Sequence, residues 1–81
     1  QGLAGAQHNL GLLYSEGEGV NHDHFAACVW LTIASKNKLE LSSKELEKIY
    51  GSGRFSIANL TQINKRVKNM IKENPKLIKI P

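Results

Sequence analysis

Ala6-Gln7-His8-Asn9-Leu10-Gly11-Leu12-Leu13-Tyr14 and, two residues later, Gly17-Glu18-Gly19-Val20 decide how this chain folds. Ala6, Leu10, Leu13 and Tyr14 recur at three- and four-residue steps, a spacing that gathers side chains on one face of a helix. The spacing predicts a helix over residues 3–15 with that face inward. Gly11 lies inside it, where glycine costs up to about 1 kcal/mol against alanine. A glycine kept at that cost marks a place where another backbone comes close. Gly17 fits the left-handed position that ends a helix, because it has no Cβ to clash. Gly19 then lets the chain reverse, and Val20, alone in a polar loop, is expected to tuck under the turn.

Working outward, Asp23 fits a helix N-cap, its carboxylate accepting from a free amide of the next turn. Residues 24–36 read as a second helix with Ala27, Trp30, Leu31 and Ala34 on one face. Two antiparallel helices joined by a short glycine-containing turn make an αα-hairpin. Residues 37–42 are polar and irregular. Ser42 or Ser43 can cap a helix over about 43–50 that turns Leu46, Ile49 and Tyr50 inward. Gly51-Ser52-Gly53 breaks the chain. A last helix, about 59–74, carries the apolar stripe Leu60, Ile63, Val67, Met70 and Ile71, and Pro75 stops it because the residue before a proline avoids the α region. The tail, residues 75–81, has no helical period and is either flexible or laid extended across a neighbour.

Residues 2–36 resemble the Sel-one-like repeat, a relative of the tetratricopeptide repeat. The resemblance is carried by Gly2, Ala4, Ala6, Gln7, Leu10, Gly11, Leu13, Tyr14, Gly17, Gly19, Val20, Asp23, Ala27, Trp30 and Ala34, in order and without gaps. The pattern departs after Leu31: Thr32 and Ile33 follow in place of the usual aromatic and basic residues, and Asn37 stands where a repeat commonly closes on glycine. Leu60-Thr61-Gln62, leading into Ile63 and a basic helix, is similar to the closing helices of bacterial members. The resemblance implies an all-α fold, the end of an α–α superhelix: one repeat over 1–36, capping helices over 37–74 and a tail over 75–81. Solenoid repeats stabilise one another, and about three are normally needed. We therefore expect either a longer array preceding Gln1, with a cytoplasmic or exported bacterial location left open, or self-association through the exposed N-terminal repeat face.

Composition narrows the function. At 81 residues, about 60% of the unfolded surface can be buried, and only Tyr14, Phe25, Trp30, Tyr50 and Phe55 supply aromatic bulk. Cys28 is the single cysteine, which excludes an intramolecular disulfide or a cysteine-based zinc site. Apolar runs are far shorter than the roughly 18 residues that span a bilayer. The net charge of +4 is divided unevenly: residues 1–41 carry two basic and four acidic groups, residues 42–81 nine basic and three acidic.

No residue is assigned a catalytic, cofactor-binding or metal-binding role. His22 and His24 flank Asp23, but no fourth ligand accompanies them and the spacing fits no zinc pattern. Cys28 lies beside the alanine face and reads as a small buried hydrophobe. The two Gly-x-Gly pairs lack the strand-to-helix setting of a phosphate loop. The resemblance implies instead a protein or peptide partner. In related solenoids the first helices line the concave surface, and His8, Asn9, Leu12, Ser15 and Glu16 become the expected partner patch. The alternative is a nucleic acid or acidic surface bound by Lys65, Lys68, Lys72 and Lys76, with Arg66 beside them. That stripe carries no aromatic residue for stacking, which makes nucleic acid the weaker reading. An enzyme, such as the cysteine-rich hydrolases of this repeat class, ranks last because this chain has one cysteine.

Overall fold

A computed structural model describes residues 2–16, 23–53 and 55–79. They form four α-helices, α1 (Gly2–Glu16), α2 (His24–Lys36), α3 (Glu40–Gly51) and α4 (Ile57–Glu73), followed by a short 3-10 turn, Pro75–Leu77. There is no strand among the described residues, so the chain is all-α. The expected roles of Gly17, Gly19, Val20 and His22 lie outside the described residues.

Helix α2 is the centre. Ala27, Cys28, Val29, Leu31, Ile33 and Ala34 are all buried, and they point in every direction around the axis. A helix apolar on all sides has to be enclosed, and α1, α3 and α4 each pack against it. Asp23 starts it as expected, its carboxylate accepting from the Ala26 amide at 3.0 Å. The Asp23 amide donates to the Tyr14 carbonyl at 3.0 Å, which closes the base of the α1–α2 hairpin.

The expected stripe of α1 turns inward only in part, with Leu10 and Tyr14 half-buried. Ala6 is exposed and Leu13 is 39% exposed, whereas Gln7 is 3% exposed and Gly5 and Gly11 are buried. Contact at Gly11 sets this rotation. A Cβ placed there would meet Leu31 Cγ at 2.8 Å and the Ala27 carbonyl oxygen at 3.2 Å. Only a glycine lets the two helices lie this close, which fulfils the reading of Gly11 while correcting the face.

Helix α2 ends in a Schellman motif. The Lys38 amide bonds the Ser35 carbonyl at 2.9 Å and the Leu39 amide bonds that of Ala34 at 3.2 Å. The left-handed residue is Lys38, at φ 68°, not Asn37 in the position of the closing glycine. A non-glycine residue there costs about 1–2 kcal/mol, and keeping Asn37 leaves its amide free for the contacts described below.

Two helix starts differ from the sequence reading. Helix α3 begins at Glu40 behind Leu39, without a side-chain cap. Ser42 and Ser43 lie inside it and bond to other helices: Ser42 Oγ and His8 Nδ1 of α1 lie 2.7 Å apart, and Ser43 Oγ and Ser35 Oγ of α2 lie 2.6 Å apart. Helix α4 begins at Ile57, because Ser56 and Asn59 form a capping box that satisfies two orphan amides at once. Ile63 and Val67 are buried along its stripe, with Met70 and Ile71 packed beside them. Full burial of each such aliphatic contributes about 1.5–3 kcal/mol.

The tail is fixed rather than free over its described part. The Leu77 carbonyl accepts from Gln7 Nε2 at 2.9 Å and from Asn37 Nδ2 at 2.8 Å. Asn37 Nδ2 also donates to Gln7 Oε1 at 2.9 Å, and Asn37 Oδ1 accepts from the Lys79 amide at 2.8 Å. One buried amide pair thus ties α1, the end of α2 and the tail, with its 3-10 turn, together, and the bonds satisfy groups that burial would otherwise penalise.

Candidate functional site

A groove of about 630 Å³ opens between α2 and α4. Its α2 wall is Phe25, Ala26, Val29 and Trp30, with Tyr14 from the end of α1 and Asp23 at the cap. Its α4 wall is Gln62, Lys65, Arg66, Asn69 and Met70. The local sequence explains both walls. On α2 these residues sit at three- and four-residue steps, one face of the helix. On α4 the steps 62, 65/66 and 69/70 put amides, cations and Met70 on the flank beside the buried Ile63–Val67 stripe. Phe25, Trp30 and Met70 are half-buried and packed on the core cluster, so the groove has a fixed floor. Lys65 and Arg66 are exposed.

The expected α1 patch divides. His8 bonds Ser42 and is half-buried, so it holds α3 in place. Asn9 and Glu16 are exposed, while Leu12 and Ser15 are half-buried. The basic stripe divides too. Lys65 lies in the large groove. Lys68 borders a smaller recess of about 400 Å³ with Lys36, Asn64 and Ile71. Lys76 has left the helix, which ends at Glu73, and its amide caps back onto Asn74 Oδ1. Lys72 stays exposed in the last turn of α4. The aromatic residues missing from the stripe itself come from α1 and α2. The groove is not legible in any one segment because its walls belong to different helices, though Trp30 was expected on the alanine face and Phe25 counted among the few aromatics.

Cys28 is fully buried. Burial pushes its thiol up to about 11, only partly offset by a hydrogen bond with Tyr50. Burial raises Tyr50 as well, with the neighbouring Cys28 adding to it. A thiol in this setting is protonated at neutral pH and is a poor nucleophile. Among the described residues no three His, Cys, Asp or Glu side chains come together as a metal site, and no helix is long and apolar enough to cross a membrane.

Fold and groove define an all-α domain with an aromatic-floored, basic-rimmed cleft. No family model, curated protein or solved structure matches this chain. The repeat resemblance of residues 2–36 therefore rests on the residues that carry it.

Proposed function

We propose that this chain is a protein-interaction module, the closing end of a helical-repeat scaffold of the Sel-one-like kind, and that its partner docks as a peptide segment between α2 and α4. The observation that supports this is the groove itself, with half-buried rings on one wall and amides and cations on the other. Such a surface offers apolar anchoring together with polar groups that fix orientation. The glycine-tight hairpin α1–α2 followed by two packed helices fits the same reading.

Trp30, the one tryptophan, reports on the groove. Peptides selected from a displayed random library on the full chain are expected to shift its emission and to lose binding in an Ala26→Arg variant, which fills the groove from its wall. Circular dichroism checks that the variant stays folded. Peptides that bind the variant as well as the parent would place the partner elsewhere.

The second reading, nucleic acid or an acidic surface held by α4, draws support from Lys65 and Arg66 standing beside aromatic side chains. Phosphate contacts release counterions, so that binding would fall steeply with salt.

A further inference from the structure

We propose that the α2–α4 groove selects acidic peptides that carry an apolar anchor, in preference to neutral peptides and to nucleic acid; this rests on the peptide-docking reading above. The two walls differ in kind. On the α2 side Phe25, Ala26 and Trp30 present carbon surface over the buried Val29, and Met70 continues it on α4. On the α4 side Lys65 and Arg66 are exposed at the rim. A peptide that places an aliphatic or aromatic side chain against the first set brings its flanking carboxylates within reach of the second. The guanidinium of Arg66 suits a carboxylate in particular, because its planar donors match both oxygens.

Three features favour a peptide over a nucleic acid. Asp23 interrupts the positive lining, which disfavours a continuous phosphate track, whereas a peptide can place its carboxylates at Lys65 and Arg66 and an uncharged stretch beside Asp23. Phe25 and Trp30 are packed against the core, so they do not stand free as the open platforms on which bases stack. Gln62 and Asn69 line the α4 wall, and a side-chain amide can donate to and accept from a peptide backbone at once.

The test uses the full chain and peptides selected from a random library displayed on phage, with affinities read from Trp30 emission. Enriched sequences are expected to be net negative around an aromatic or aliphatic residue. Rim ion pairs are individually weak, so the double change Lys65→Gln with Arg66→Gln is expected to weaken binding roughly tenfold. The reversal Lys65→Glu with Arg66→Glu should weaken it further and favour basic peptides. Both positions are exposed, so these variants are expected to fold, which circular dichroism checks. Enriched peptides that are neutral or basic, lost in Ala26→Arg but indifferent to the rim changes, would overturn the acidic preference and leave groove docking intact. Acidic peptides that bind Ala26→Arg unchanged would overturn groove docking itself. An oligothymidylate that binds the groove more tightly than the enriched peptides would overturn the choice of a peptide.

Discussion

Helix α2 meets α1 on one side and α4 on another, and the two contacts are built from different materials. Against α4 the seam is bulky and apolar, with Ile63 and Val67 fully buried. Against α1 it is small and polar: Gly11 touches Leu31 and the Ala27 carbonyl, and Gln7 joins Asn37 and the tail. The first contact is held by area removed from water. The second is held by close approach and by hydrogen bonds whose loss would orphan buried groups. The α4 side also leaves room beside its seam, and the groove lies there.

The largest expected effect tests the apolar seam. Ile63→Ala removes most of a fully buried side chain, and such truncations cost about 2–5 kcal/mol. For a chain of this size that is a large part of the total, so urea unfolding should show a much lower midpoint. A midpoint within error of the parent would mean that α4 is not packed as described.

Next comes the polar network. Asn37→Ala leaves Gln7 and the Leu77 carbonyl short of partners, at a cost of about 1–3 kcal/mol. The Lys79 amide loses its acceptor, so hydrogen exchange at Lys79 should speed up while Ile63 keeps its protection. Unchanged exchange at Lys79 would show that the tail is held by its apolar contacts alone.

Gly11→Ala gives the smallest effect and the sharpest contrast. Alanine raises helix propensity by up to about 1 kcal/mol, yet its Cβ would lie 2.8 Å from Leu31 Cγ. Overpacking of this kind costs about 1–3 kcal/mol. A net loss of stability in denaturant unfolding is expected, and a gain would mean that α1 and α2 stand further apart.

This contrast also explains what could be read from the residues. The α4 stripe was legible because large aliphatics at helical spacing report where burial is. The order of the helices and the Asp23 cap were legible for equally local reasons. The rotation of α1 was not, because its apolar residues Ala6 and Leu13 face outward while an amide and glycines face inward. Periodicity of hydrophobicity says nothing about a seam made of hydrogen bonds and absent side chains. Ser42 and Ser43 looked like caps because serine commonly caps, yet their partners, His8 and Ser35, lie on other helices. The groove needed the packing of α2 on α4, which no single segment encodes.

The side of α2 that receives the partner is decided most directly by chemical-shift mapping. Nitrogen-labelled chain is titrated with a library-selected peptide, and the amides that move are assigned. Shifts concentrated at Phe25, Trp30, Lys65, Arg66 and Asn69, with Asn9 and Leu12 still, are the expected result. Shifts running instead along Asn9, Leu12, Ser15 and Glu16, with the α4 wall unmoved, would contradict it.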